Sequence, residues 1–410
     1  MLRVVAWRSL RSRKKTVILT FLSLLVSMSV LLTVEHLRAQ AKDSFNRSIS
    51  GTDLIVGAPS GELNLLLYAV FRMGNPTNNI SYASFEMLGE QKSVAWTIPI
   101  SLGDSHRGFR VLGTSGDYFT HFKYAQNRTL SFANGEPFSL LFDVVLGAEV
   151  AKSLSYELGD EIVISHGLGA TSFHNHDNAP FTIKGILEPT GTPVDKTVHV
   201  SLAAIEAIHL APSQLTQIVE QQQFDVLEPS TITAVLVGLD NKFATFALQR
   251  QLNNYPNDRL MAVLPGVAMT QLWQLMGNVE NILRVIAALV LLSSLFGLAT
   301  MLLASMNERS TEIAVLRTLG ASPLTLFQLI VYEALLVAIL AFAASYALVS
   351  AALVVLSDWL SQSYGLFLSA NIFSSEILIL AALIFVAVIV AALAPAIDAY
   401  RRALQTQLSG

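Results

Sequence analysis

Four stretches of the chain run almost free of charge for the length a bilayer span requires, about 20 mostly apolar residues. The first extends from Thr16 to Val34, between Lys15 and Glu35, and the second from Val285 to Asn307, between Arg284 and Glu308. The third starts near Leu324 and continues to Ser357, interrupted only by Glu333; the fourth runs from Ile377 to Ile397, between Glu376 and Asp398. The first is longer than the apolar core of a cleaved signal peptide, and no small-x-small cleavage site follows it, so it reads as a retained anchor. The pattern predicts transmembrane helices over 16–37, 281–306, 324–356 and 376–397, joined by a cytoplasmic loop at 307–323 and a short outer loop at 357–375.

Between the first and second spans the period changes. Short alternating runs bounded by turn residues predict strands at Thr52–Ala58, Ser93–Leu102, Arg110–Leu112, Phe142–Leu146, Glu161–Ser165, Phe181–Leu187, Thr197–Leu202 and Thr231–Leu239. Helical periods are predicted at Ala148–Leu154, Ala203–His209 and Lys242–Asn253, and a helical stalk over about 267–281 leads into the second span. The fold class is therefore a four-helix membrane protein with an extracytoplasmic α+β domain, residues 38–280 with the stalk, inserted between helices 1 and 2. The run Leu63–Phe71 is too short to span and is expected to be a buried helix.

Charge sets the orientation. Arg3, Arg8, Arg11, Arg13, Lys14, Lys15, Arg309, Arg317, Arg401 and Arg402 fall in the N-terminal segment, the loop after the second span and the tail. Four spans put these three segments on one side, which the positive-inside rule makes cytoplasmic. Residues 1–15 interleave Leu2, Val5, Ala6 and Leu10 with the basic positions, the pattern of an amphipathic helix lying in the interface. The tail 398–410 is cytoplasmic as well. Composition agrees: 52% of residues are hydrophobic and 14% charged, against about 25% charged in a soluble domain. A net charge of −4 gives no basic field for nucleic acid, and the absence of cysteine excludes disulfides and thiol chemistry.

Chemistry-bearing patterns are few. Asn307–Ala334 reads NERSTEIAVLRTLGASPLTLFQLIVYEA, with Arg309 and Glu312 at i,i+3 spacing, Gly320 suited to a helix C-terminus and Pro323 to the start of the next helix. A short charged segment between two spans is a docking element for a cytoplasmic partner, or a topology-setting loop. Glu333 lies within the third span, where an ionisable group usually faces protein or water; a role at a helix or dimer interface is expected. The hydroxyls of Thr20, Ser23, Ser27 and Ser29 suit close helix contacts. His166, His174 and His176 lie within eleven residues in a Gly-containing segment, a candidate zinc site or a solvated loop. The chain carries neither HExxH nor a nucleophile elbow, and no catalytic constellation is predicted.

The segment "ER..EIAVLRTLGAS", followed by a span with an early Glu, resembles the signature of MacB/FtsX-family permeases, the type VII ABC transporters. The closing Leu393-Ala-Pro-Ala396 with Arg401-Arg402 is similar to the family's C-terminal region, and Val144–Glu149 with Phe181–Leu187 to its periplasmic core. The resemblance covers essentially the whole chain. It implies a permease that transmits ATP-driven motion of a cytoplasmic ABC ATPase subunit to its periplasmic domain, so as to export, extract or release a periplasmic substrate. Glu308, Arg309, Glu312, Arg317 and Gly320 are the implied coupling residues. It further implies a second permease copy, more often identical than not, a periplasmic adaptor or substrate protein, and the bacterial inner membrane as location. The chain has no G-x-x-x-x-G-K-[ST], so ATP-Mg belongs to the partner subunit and this chain binds no cofactor of its own, zinc at the histidine segment aside. A transmembrane signalling scaffold regulating a periplasmic enzyme, or a zinc-handling membrane complex, is the alternative.

Overall fold

A computed structural model describes residues 13–166, 179–210, 212–221, 224–308, 321–364 and 372–408. The elements in chain order are α1 (Lys14–Arg47), β1 (Leu54–Gly57), α2 (Glu62–Ala69), β2 (Ile80–Ser81), α3 (Tyr82–Gly89), β3 (Val94–His106), β4 (Phe109–Thr114) and α4 (Asp117–His121). There follow β5 (Lys123–Tyr124), β6 (Arg128–Thr129), β7 (Phe132–Gly135), β8 (Asp143–Leu146), α5 (Ala148–Leu154), β9 (Glu161–Ile162), β10 (Ser165–His166), β11 (Phe181–Leu187), β12 (Thr197–Ser201) and α6 (Leu202–Ile208). The rest are α7 (Pro212–Gln221), β13 (Thr231–Ile232), β14 (Ala234–Leu239), α8 (Thr245–Asn253), β15 (Met261–Val263), α9 (Pro265–Glu308), α10 (Pro323–Tyr364) and α11 (Ser375–Leu408). The chain divides into two compact units, one of the four long helices and one built chiefly from Lys42–Met276.

Helices α1, α9, α10 and α11 are each long and apolar enough to cross a membrane. All four run past the limits set by their apolar cores: α1 continues to Arg47, α10 to Tyr364 and α11 to Leu408. Polar residues at these ends keep helical backbone because helix propagation adds a hydrogen bond per residue once a nucleus exists. The stalk expected before the second span is part of one unbroken 44-residue helix that starts at Pro265. Leu24, Met28, Leu298, Ala338, Val388, Ala392 and Ala396 are fully buried against one another, and Leu19, Phe296, Val355 and Leu383 point outward. Apolar residues both inside and outside, with alanines among those at the helix contacts, are the arrangement of a bundle that lipid can solvate.

The outer unit is an eleven-stranded mixed sheet in the order β15-β1-β14-β3-β4-β12-β8-β11-β7, with β10 paired to β3 and β9 to β11. Strand β3 holds it together: its first half pairs with β14 and its second with β4, and the register shifts between Leu102 and Ser105. Alternation sends Ile55, Ile98, Leu112 and Leu236 to one hydrophobic cluster and Leu54, Val56, Val235 and Val237 to another. Both faces of the central strands are covered, which is why β14, and β8 after Asp143, read as apolar runs. Leu63–Phe71 is met as expected by the buried helix α2, with Leu65, Leu66, Tyr68 and Ala69 fully enclosed.

Glycines in the two periplasmic-core motifs are there for packing. A Cβ on Gly147, at the β8–α5 turn, would lie 2.2 Å from the Val194 carbonyl oxygen, while the Gly147 amide donates to Thr197 O at 2.9 Å. Gly185 on β11 faces Gly135, and a Cβ there would lie 2.4 Å from the Glu136 carbonyl oxygen. His199 is fully enclosed on β12, its Nδ1 3.2 Å from Val145 O and its ring 5.2 Å from that of Tyr118. Burial, with the nearby Arg72 guanidinium adding to it, pushes its pKa down to about 3.

Two outcomes are expected. Gly147→Ala should lower the stability of the outer unit by ~1–3 kcal/mol, because backbone must yield; an unchanged thermal midpoint would contradict the packing role. Below pH 6.5 the unfolded chain protonates position 199 and the folded chain does not until about pH 3. Stability from this group is therefore lost as pH falls through that window, at up to about 1.4 kcal/mol per pH unit. Unfolding midpoints measured across it should decline less steeply in His199→Asn than in the natural protein.

Candidate functional site

The coupling segment begins where α9 ends. Glu308 is the last residue of that helix and is exposed. Arg309, Glu312, Arg317 and Gly320 lie outside the described residues. Beyond them, Pro323 opens α10 as its spacing predicts, and the Ser322 hydroxyl accepts from the Thr325 amide at 3.2 Å, capping the first turn. The loop is thus entered and left by helix ends, and its charged residues follow one and precede the other.

About three turns into α10, Glu333 is buried, its side chain 1% exposed, with the Arg13 guanidinium 3.6 Å away. Arg13 immediately precedes α1, so the pair ties the start of the first span to the third, close to the coupling loop in sequence. An isolated carboxylate among apolar helices is expensive, and its counter-ion lowers that cost. Glu333 thus sits where α10 meets the residue that precedes α1. Sequence reasoning put Arg13 among topology-setting charges; no linear pattern pairs residues 320 positions apart.

Further along, hydroxyls hold α1 to α9. Ser294 Oγ lies 3.0 Å from Ser23 Oγ and 2.5 Å from Ser27 Oγ, and Ser27 Oγ donates to Ser23 O at 2.8 Å. Ser345 Oγ of α10 donates to Leu25 O at 2.8 Å. At the other end of the spans, Glu35 and Arg38 of α1 meet Glu280 and Arg284 of α9. Arg284 grips Glu35 through Nε and Nη2 at 2.9–3.1 Å, Arg38 Nη1 donates to Glu35 at 2.9 Å, and Arg38 Nε to Glu280 at 2.6 Å. In the sequence Glu35 and Arg284 mark span limits; nothing there joins them.

The histidine segment gives less. His166 takes part in β10 through its backbone, in register with Asp104, while His174 and His176 lie outside the described residues. Among the described residues no cluster of three or more His, Cys, Asp or Glu side chains has metal-binding geometry. The described histidines of the outer unit serve structure: His106 bonds Val163 O at 2.6 Å and Tyr156 Oη at 3.0 Å, and His121 stacks on Trp96. Among the described residues the arrangement offers helices pinned to one another at several depths.

Comparison with known proteins bears on this arrangement. A family model described as the MacB-like periplasmic core domain matches residues 16–255, and one described as the FtsX-like permease C-terminal matches residues 284–404. The chain is 22% identical over 334 residues to the lipoprotein-releasing system transmembrane protein LolE of Haemophilus influenzae, across 78% of this chain and 74% of that one. The periplasmic region of MacB from Actinobacillus actinomycetemcomitans aligns with 55% of this chain and 94% of its own, at 11% identity and a TM-score of 0.35. The extracellular domain of the noncanonic ABC-type transporter YknZ from Gram-positive bacteria aligns with 52% and 99%, at 12% identity and 0.30.

Removing one member of the intramembrane pair should cost more than removing both. Arg13→Ala removes a counter-charge from the buried Glu333 carboxylate and should destabilise the helical unit by ~2–4 kcal/mol. Arg13→Ala with Glu333→Leu should recover most of that. Detergent-phase thermal midpoints of the two variants check it, and equal losses would refute the pairing.

Proposed function

We propose, on the premise that this chain belongs to the MacB/FtsX family of ABC-transporter permeases, that it converts ATP hydrolysis by a separate cytoplasmic subunit into motion of its outer domain. The observation that carries this reading is the tiling of the chain by the two family models, core domain then permease, around four apolar helices and one inserted α/β unit. The chain lacks a phosphate-cradling G-x-x-x-x-G-K-[ST], so the energy enters from a partner. Glu308, Arg309, Glu312, Arg317 and Gly320 form the docking surface for that partner, between the ends of α9 and α10. The basic segments place both termini in the cytoplasm and the α/β unit in the periplasm of a bacterial inner membrane.

The work done there is export, extraction or release of a substrate on the outer side. The resemblance to a lipoprotein-releasing protein favours a membrane-anchored substrate over one conducted through the bilayer. A second permease copy completes the unit. An exposed apolar surface at Leu63–Phe71 would favour the scaffold alternative or an adaptor, and most of that segment is buried, chiefly in α2.

Tagged chain purified from its native host in mild detergent should bring with it an ATP-binding subunit. Reversing the charges of Glu312 and Arg317 together should reduce that recovery by about tenfold or more, the effect of opposing like charges at a docking surface. Recovery of no ATPase from membranes that yield a control transporter intact would refute the reading.

A further inference from the structure

We propose that Glu35, Arg38, Glu280 and Arg284 form an ionic latch that makes α1 and α9 one lever, and that these four are positioning residues for coupling. The inference rests on the transporter reading above and goes beyond it by naming which helices move together and what holds them.

The argument begins with what apolar contacts do not fix. Leu24, Met28, Leu291, Leu295 and Leu298 pack α1 against its neighbours, but such contacts are non-directional, and one helix can ratchet past another by a turn, about 5.4 Å, and repack. Directional groups remove that freedom. Glu35 accepts from two guanidinium groups at once, through both of its oxygens, and Arg284 holds it with two nitrogens. Such a fork-to-fork contact specifies register as well as attraction. Arg38 then bridges Glu35 on its own helix and Glu280 on the other.

The cluster pairs two positive with two negative charges, and the Glu376 carboxylate at the start of α11 is a further electrostatic partner of Arg38. The cluster's shielding differs from that of ordinary surface pairs. The Glu35 side chain is 13% exposed and that of Glu280 20%, against 57% and 50% for the Arg47–Asp43 pair. Less water means less screening and a stronger preference for one geometry. Deeper along the same two helices, Ser23 and Ser27 meet Ser294. Two fixed points at different depths on one helix pair prevent sliding and rotation alike.

The test uses the full chain with its ATPase in lipid nanodiscs. The natural sequence has no cysteine, so spin labels can be placed at will. Labels at Phe243→Cys and Val355→Cys, both exposed, report the distance between outer unit and helical unit. That distance should change between the nucleotide-free and vanadate-trapped states. Glu35→Gln should leave ATP hydrolysis in place and reduce the change by about threefold or more, a coupling loss of ordinary size. Exchanging all four charges, by Glu35→Arg, Arg38→Glu, Glu280→Arg and Arg284→Glu, should restore it. A merely stabilising cluster would lower the melting temperature in Glu35→Gln and leave the distance change whole, which would overturn the proposal. Should Glu35→Gln fail to fold, Arg284→Lys serves, since it keeps the charge and loses the fork; an undiminished distance change there would also overturn it. If no ATPase associates, the transporter reading fails, and the latch is read separately. Labels at Val30→Cys and Ile286→Cys in the chain alone should then give a narrow distance distribution that Glu35→Gln broadens, and an unbroadened one rejects the latch.

Discussion

A charge or hydroxyl placed among apolar helices has no water to turn to, and this constraint organises the helical unit. Several such groups on α1 or just before it find partners on helices far away in the chain. Arg13 meets Glu333, Ser23 and Ser27 meet Ser294, Leu25 O receives Ser345, and Glu35 and Arg38 meet Glu280 and Arg284. Helix α1 is thereby the hub of the bundle: polar contacts reach from it to both α9 and α10, and dispersion packing fills the remaining space.

The outer unit obeys a different economy. Its stability comes from covering both faces of one sheet, and β3 makes that sheet continuous by serving two sets of neighbours. Close approach of backbone to backbone at Gly147 and at the facing Gly135 and Gly185 lets strands and turns pack at spacings a side chain would forbid. The cost of that density is sensitivity: a single methyl at such a point has nowhere to go.

Much of this architecture was legible in the sequence. The four spans, the inserted domain, α5 and β11 fall where hydropathy and alternation put them, because those signals are local. The segment Thr231–Leu239 reads as one strand and forms two, β13 and β14, and Glu161–Ser165 divides between β9 and β10; breaks between strands depend on partners, not on composition. Helices α3 and α4 escaped the sequence reading because they are short, α3 being weakly periodic as well, and α7, though amphipathic, spans only ten residues. The charged loop before α10 announced itself by motif. The pairing of Arg13 with Glu333 and of Glu35 with Arg284 did not, since each joins residues that only the assembled bundle brings together.

The remoteness of those partners has a consequence for how the protein is made. Ser23 and its partner Ser294 are 271 residues apart, and Leu25 and Ser345 are 320 apart, so α1 enters the membrane long before anything it bonds to has been synthesised. At ~5–20 residues per second the interval is on the order of tens of seconds. Throughout it, α1 must be retained by its own hydropathy, with its hydroxyls bonded back to its own carbonyls, as Ser27 is to Ser23 O. The bundle can therefore close only as its later helices reach the waiting first one, and the outer domain has been translated in full before the membrane part can close.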